Sequence, residues 1–282
     1  MIGIITDSTS DIPDHLIQQY GINIIPHYII WGDQQYRDRV DMQPVEFYER
    51  IATDPDYPTS SQASIADFKQ IFEEVAAKGA SEIIALTVSS AMSGAFHMAS
   101  EAAKLVGVPV SVVDGKSPTM SLGWQVLAAA RARDAGMKVD AIVSMLDELK
   151  TKLVQYVAME SLEYLQKSGR IGNAVKWVGS VLKIRPLISI NHHSGLVEPT
   201  SLSRTHKGLV EQMYNKFFEH FTGKQKLHIA VMHGNILGEA EELAERIRRE
   251  FNPVELIINI TGPVLGISTG PGALALCGYA ED

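Results

Sequence analysis

The chain has 282 residues, a length that predicts about two domains and excludes a single small module. Hydrophobic residues make up 45% of the sequence and charged residues 21%, which excludes a disordered, collagen-like or disulfide-framed protein. With 25 Lys and Arg residues against 33 Asp and Glu residues, the net charge is -8, which disfavours binding to nucleic-acid phosphates.

The first half of the chain alternates between two kinds of pattern. Short apolar, β-branched runs predict strands at residues 2–6, 83–88 and 109–114. Apolar residues at helical spacing predict amphipathic helices at residues 66–76, 95–106 and 122–135. This alternation predicts a parallel sheet covered by helices on its faces, in an α/β domain of residues 1–152.

After residue 152 the pattern changes. Further strands are predicted at residues 154–159, 187–191, 227–232 and 254–260, and longer helices at residues 205–221 and 238–251. His192 and His193 lie in a turn after the second of these strands, where we expect both to be exposed. We interpret residues 153–282 as an α+β domain with a mixed or antiparallel sheet. The absence of a low-complexity linker predicts a packed interface between the two domains.

The single cysteine, Cys277, lies in an apolar run and has no partner for an intramolecular disulfide. This indicates a buried thiol in a reducing compartment. Residues 1–7 are too short an apolar stretch for a secretory signal, and no apolar run approaches the ~20 residues of a membrane helix. We expect a cytoplasmic protein without an integral membrane segment.

Three loops carry clustered hydroxyl groups, at residues 6–11, 58–64 and 89–94. Each precedes a predicted helix, so their side chains could serve only as helix caps, and Ser64 with Asp67 resembles a capping box. Two of the loops also follow a strand, and the carboxyl ends of parallel strands are where ligands bind, with helix N termini facing anions. The three hydroxyl-rich loops taken together favour a ligand-binding site.

The charges in these loops indicate the kind of ligand. Residues 58–64 and 89–95 contain no Lys or Arg, so a singly charged carboxylate fits better than a phosphate. The chain has no P-loop, and Ala91 and Ala95 replace both glycines of a Gly-x-Ser-x-Gly elbow around Ser93. A hydrolase or transferase that uses Ser93 or Ser60 as nucleophile stays an alternative. No histidine has the spacing of a metal ligand, so we expect no metal and no cofactor.

Glycines mark two further sites. Gly169 is expected to end a short helix in a left-handed cap, with Arg170 after it as a surface charge. Residues 270–275 formally match a dinucleotide-binding fingerprint, but the chain ends too soon afterwards for a βαβ unit. We expect a backbone turn there, leading into a terminal helix or strand.

Taken together, these motifs resemble the DegV family of bacterial fatty-acid-binding proteins, which includes the acyl-binding subunits of fatty acid kinase. The matching segments occur in the family's order along nearly the whole chain, at residues 6–11, 59–64, 89–94, 162–165, 169–171, 183–186 and 270–272. The resemblance implies two α/β domains with the lipid between them, a long-chain fatty acid of the palmitate, stearate or oleate type as ligand, and a role in phospholipid metabolism.

The resemblance also implies which residues bind the carboxylate. The family's carboxylate ligands fall on Ser60 and Ser93, and Ser61, Gly94, Ser268 and Thr269 are expected beside them. The chain departs from the family where Ser60 replaces a threonine, where Ser268 replaces a frequent histidine, and where Ser168 replaces a glycine. The replacement of the histidine by Ser268 weakens the inference of a kinase partner, because a histidine near the carboxylate could assist phosphoryl transfer.

Two arginines are expected to face a protein partner, Arg170 and Arg204. Arg204 and the threonine after it resemble the family's Arg-Thr step before a long helix. At the start of a helix the positive end of the dipole makes a cation unfavourable unless the cation meets an anion. The sequence therefore predicts a non-catalytic carrier that presents its fatty acid to an ATP-dependent kinase subunit. A sensor of acyl ligands with a protein partner is a third possibility.

Overall fold

The computed structural model describes residues 1–177, 184–221 and 226–281. Its strands are β1 (Ile2–Asp7), β2 (Asn23–Ile25), β3 (Tyr28–Trp31), β4 (Gln34–Arg37), β5 (Thr59–Ser61), β6 (Glu82–Thr87), β7 (Val110–Asp114), β8 (Val154–Ala158), β9 (Arg185–Asn191), β10 (Leu196–Ser203), β11 (Lys226–His233), β12 (Glu255–Ile260) and β13 (Leu274–Glu281).

The helices of the described residues are α1 (Asp14–Tyr20), α2 (Pro44–Ile51), α3 (Ile65–Ala77), α4 (Ala95–Ala103), α5 (Met120–Asp134), α6 (Val139–Lys152), α7 (Glu163–Ser168), α8 (His206–Phe218), α9 (Leu237–Phe251) and α10 (Pro263–Thr269). Two 3-10 turns, Ser8–Ser10 and Gly172–Trp177, complete the regular structure. The predicted ends of α4 and α8 lay three residues too far along the chain.

The first sheet is parallel, as predicted, and has the strand order β2-β1-β6-β7. Its central strands β1 and β6 are apolar along most of their length because helices cover both faces. Helix α3 begins with the predicted capping box, in which Ser64 Oγ accepts from the Asp67 amide and Asp67 accepts from the Ser64 amide.

A second, small sheet with the order β4-β3-β5 was not predicted from the sequence. Tyr28 pairs with Ser61 and Ile29 with Ser60, so part of the expected hydroxyl loop at residues 58–64 is an edge strand. Strands of three or four residues carry too little periodicity to be recognised locally. This sheet packs with α2 and α10 around Trp31, Phe47 and Ile267.

The third sheet is mixed, as predicted, and has the order β10-β9-β8-β13-β11-β12. Only β11 and β12 run parallel, and the other neighbours are antiparallel. The chain enters this sheet at Val154, directly after α6. The expected turn between β9 and β10 is present, but only His193 is exposed, and burial lowers the pKa of His192 to about 4.

One large core joins the two main sheets. It includes Ile4 and Leu86 from the parallel sheet and Ile188 and Cys277 from the mixed sheet. Trp124 Nε1 on α5 donates to the carbonyl of Cys277, at 3.3 Å. Burial raises the pKa of the Cys277 thiol to about 12, so this cysteine is a packed apolar side chain. Within the described ranges, no helix is long and apolar enough to cross a membrane.

Candidate functional site

A cavity lies between the two main sheets, and its mostly apolar wall with a few polar groups is typical of small-molecule sites. Its apolar wall comes mostly from the mixed sheet. The apolar residues on that wall include Val157 on β8, Ile188 and Ile190 on β9, Val197 on β10, Met232 on β11 and Ala275 on β13. These side chains share one face because alternate residues of a strand point the same way.

Five of the six predicted carboxylate ligands line this cavity, and we refer to them as the hydroxyl cluster: Ser60, Ser61, Ser93, Ser268 and Thr269. They come from three separate elements, since Ser60 and Ser61 belong to β5, Ser93 precedes α4, and Ser268 and Thr269 end α10. All five are half-buried. The fold therefore brings together residues that are more than 200 positions apart in the sequence.

The sixth predicted ligand, Gly94, does not line the cavity. It is the N-cap residue of α4, and its Cα faces the Gln62 carboxamide, where an added Cβ would lie 3.3 Å from Gln62 Nε2. Ser93 Oγ accepts from the Ala95 amide at 3.2 Å, so Ser93 also caps the helix. The capping role expected as an alternative thus coexists with exposure to the cavity.

The turn after α10 sets the position of Ser268 and Thr269. Gly270 and Gly272 both have left-handed backbone angles, with φ of 74° and 76°. A Cβ on Gly270 would lie 2.4 Å from the ring of Tyr164, so the turn requires glycine there. Tyr57 donates to the carbonyl of Ile267 and links the small sheet to the same helix. The chain then continues into the terminal strand β13.

The two predicted partner-facing arginines lie in different places. Arg170 follows the left-handed Gly169 as expected, but it is half-buried and lines the cavity. Its Nη1 donates to the carbonyl of Ser168 at 2.5 Å. Arg204 is exposed, lies two residues before α8, and is not among the cavity residues. Lys183, which belongs to one of the matching motifs, lies outside the described residues.

The electrostatics of the cavity restrict the ligand. Among the described residues that line it, Arg170 is the only one with a permanent charge. No second cation is present on the described wall to neutralise a dianion, and no carboxylate lies there to repel an anion. A long apolar molecule with one negative group matches this combination of wall, hydroxyls and one guanidinium.

The polar residues of the cavity that were not singled out in the sequence include His27 and Gln155. Both are buried, and His27 Nε2 and Gln155 Oε1 have no hydrogen-bond partner. His27 precedes the unpredicted strand β3, and Gln155 lies in a strand that was predicted. Gln155 lies two residues before Val157, so strand periodicity predicts that both side chains point to the same face of the sheet. The sequence gives no signal that this face lines a cavity.

The serine-hydrolase alternative requires a base bonded to a serine. His27 lines the same cavity as the hydroxyl cluster, but within the described part of the chain no hydrogen bond joins it to a serine of that cluster. Ser93 Oγ accepts from Ala95, and Ser61 Oγ donates to the Gln62 carbonyl. The described residues also contain no group of three or more side chains suited to hold a metal ion.

Comparison with known proteins identifies the family. The family model described as "Uncharacterised protein, DegV family" matches residues 1–281. A DegV domain-containing protein of Halalkalibacterium halodurans is 30% identical over 281 residues, which cover 99% of both chains. A relative from Clostridium acetobutylicum with the same description is 33% identical, covering 99% of this chain and 98% of the other.

Solved structures share the whole fold. A DegV family protein from Thermus thermophilus, described by its fatty acid binding, superposes with a TM-score of 0.91 at 26% identity, covering 99% of each chain. DegV of Bacillus subtilis, described as a fatty acid binding protein, has a TM-score of 0.91 at 28% identity and covers 99% of each chain. The predicted family and fold class are thereby confirmed.

Proposed function

Because the chain belongs to the DegV family, we propose that it binds one long-chain fatty acid in the cavity between its two main sheets. The carboxylate lies at the hydroxyl cluster, and the acyl chain lies along the apolar wall of the mixed sheet. The observation that carries this proposal is the cavity between the two sheets, whose described wall combines those hydroxyls, one arginine and no carboxylate.

The energetics are compatible with this ligand. Burying ~15 methylenes at ~0.8 kcal/mol each contributes on the order of 12 kcal/mol. Association and ordering cost ~4–15 kcal/mol, and desolvation of the carboxylate costs several more. Hydrogen bonds from hydroxyls and Arg170 must offset the difference. Micromolar or tighter binding, about -8 kcal/mol or better, is the expected result.

We also propose that residues 1–152 and 153–282 form two domains with the lipid between them. Cavity residues from both segments support this division, including Thr9 and Val88 from the first and Ile188 and Met232 from the second. We also propose a cytoplasmic, non-catalytic subunit that presents the fatty acid to an ATP-dependent kinase. Exposed Arg204 and half-buried Arg170 are the residues assigned to that contact.

Native mass spectrometry of the purified protein, with lipid extraction, tests the binding function. We expect a C14–C18 fatty acid of the palmitate, stearate or oleate type, bound one per chain. Ala275→Phe places a ring in the cavity and should remove the lipid, whereas Ala52→Phe at an exposed position should not. The absence of lipid in wild-type extracts, together with no uptake of added palmitate or oleate, would refute the proposal.

A further inference from the structure

His27 is a buried imidazole in the cavity wall whose side chain has no hydrogen-bond partner at Nε2. Its exposed fraction is 2%. The backbone on both sides is held in place, because its amide donates to Ser8 Oγ at 3.1 Å and its carbonyl accepts from the Asp38 amide at 2.9 Å. These two hydrogen bonds fix the main chain at His27, so its imidazole has a defined position in the cavity wall and is not a mobile surface side chain.

Strand register places His27 beside the hydroxyl cluster. Tyr28 on β3 pairs with Ser61 on β5 in an antiparallel ladder, so His27 lies across from Gln62, the next residue along. Gln62 in turn packs against Gly94, which adjoins Ser93. The imidazole thus lies at the end of the cavity that the carboxylate is proposed to occupy.

The nearest charged group does not satisfy this imidazole. Asp7 Oδ2 lies 3.8 Å from His27 Nε2, which is too far for a hydrogen bond. Asp7 already accepts from the Val88 amide through Oδ2 and from the Thr9 amide and hydroxyl through Oδ1. Burial lowers the pKa of His27, so its imidazole is neutral and has one N–H to donate. When this N–H is on Nε2, it is a buried donor without a partner, which is costly unless a ligand accepts from it.

We propose that His27 is a further ligand of the head group and donates a hydrogen bond to the carboxylate of the bound fatty acid. This inference rests on the proposed function. A hydrogen bond from the buried N–H is stronger to a carboxylate than to a neutral oxygen, so His27 favours fatty acids over uncharged lipids of the same length.

The test compares palmitate with hexadecanol, which has the same chain length and no carboxylate. Dissociation constants are measured for delipidated wild type, His27→Leu, His27→Gln and the matched control His97→Leu, whose histidine is exposed on α4. We expect His27→Leu to weaken palmitate binding about 10-fold or more and to change hexadecanol binding less than about threefold. His27→Gln keeps an N–H donor and should lose less, and His97→Leu should match wild type.

Two results would overturn the inference alone. In one, His27→Leu binds palmitate as tightly as wild type; in the other, it loses palmitate and hexadecanol equally, which would mean that His27 only shapes the cavity. If His27→Leu does not fold, as judged by thermal melting, the same comparison is made with His27→Phe, which also lacks an N–H donor. An equal change in palmitate and hexadecanol binding then rejects the role. Failure of wild type to bind palmitate would instead reject the proposed function and the inference with it.

Discussion

Arg39 and Asp11 form an ion pair, with 2.7 Å between Arg39 Nη2 and Asp11 Oδ1, that joins the segment after β4 to the segment after the first 3-10 turn. Arg39 Nη2 also donates to the carbonyl of Ile260, and Asp11 accepts from the amide of Gly262 at 2.9 Å. Asp11 is fully buried, and burial raises its pKa while Arg39 opposes that rise. The pair therefore holds three distant segments of the chain together next to the cavity.

Removing the arginine should destabilise the protein. Arg39→Met leaves Asp11 as a buried carboxylate without its counter-charge, and we expect a loss of about 3 kcal/mol in the free energy of unfolding. The matched control is Arg37→Met, because Arg37 pairs with Asp41 at the surface, where solvent screening makes ion pairs contribute little to stability. Urea denaturation measures both, and equal losses would contradict the assigned role of Arg39.

Asp38 predicts a pH dependence of stability. Burial raises its pKa to about 7, while Ser8 Oγ donates to its Oδ2 at 2.7 Å. Between pH ~4 and ~7 the native state holds a proton that the unfolded state has lost, so stability falls as the pH rises through this window. Asp38→Asn should match wild type near pH 4 and exceed it by on the order of 2–4 kcal/mol at pH 8.

The control for this profile is Asp41→Asn. Hydrogen bonds from Arg37 lower the pKa of Asp41 to about 2, so the stabilisation by Asp41 is present at neutral pH and is lost as the pH falls. Because this loss lies below about pH 4, the stability of Asp41→Asn should run below and nearly parallel to that of wild type from pH 4 to 8. Thermal melts from pH 4 to 8 that showed parallel curves for wild type and Asp38→Asn would exclude the titration of Asp38.

Ser60 and Ser93 should contribute to affinity more than to folding. A hydrogen bond from a hydroxyl to a carboxylate contributes about 1.5–3 kcal/mol, so Ser60→Ala or Ser93→Ala should weaken palmitate binding ~10–150-fold. Ser64→Ala is the matched control, since Ser64 caps α3 and is not a cavity residue. It should lower the melting temperature and leave the dissociation constant unchanged. Full affinity in both cavity variants would mean that these serines serve only the fold.

Gln155 should weaken the binding of an unsubstituted acyl chain. Its Oε1 is buried and unpaired in a wall that is otherwise apolar around Val157 and Ile188. An acyl chain removes any solvation of this amide, at a cost of about 1–3 kcal/mol. Gln155→Leu is therefore expected to bind palmitate about fivefold tighter or more. Val157→Gln adds a second amide on the same face and should weaken binding, and titration calorimetry showing no change in either variant would contradict this account.

A substitution at Arg204 distinguishes binding of the lipid from its presentation to a kinase subunit. The side chain is exposed and lies outside the cavity, so Arg204→Ala should leave the palmitate dissociation constant within about threefold of wild type. With a cognate kinase subunit and ATP, the same variant should form acyl phosphate far more slowly. Equal rates for variant and wild type would remove Arg204 from the contact. An absence of phosphorylation in the wild-type complex would leave binding as the only role.

The sequence by itself determined the elements whose pattern is local. Strands β1, β6 and β7 and helices α3 and α5 follow from runs of apolar residues at period 2 or 3.6, because each such run buries one face or both. The capping box of Ser64 and the left-handed cap at Gly169 also follow from neighbouring residues. The motifs indicated the family because each is a short contiguous segment, which can be recognised without knowing what it contacts in the folded protein.

Only the tertiary structure decided which polar groups share the cavity. The edge strand β5 exists because it pairs with β3 across some 30 positions, and three residues carry no periodicity of their own. That pairing brought His27 to the wall. Gly94 packs against Gln62 and therefore does not line the cavity. The left-handed turn at Gly169 directs Arg170 toward the cavity. Contacts of this kind depend on how sheets and helices pack over long sequence separations, which local propensity does not encode.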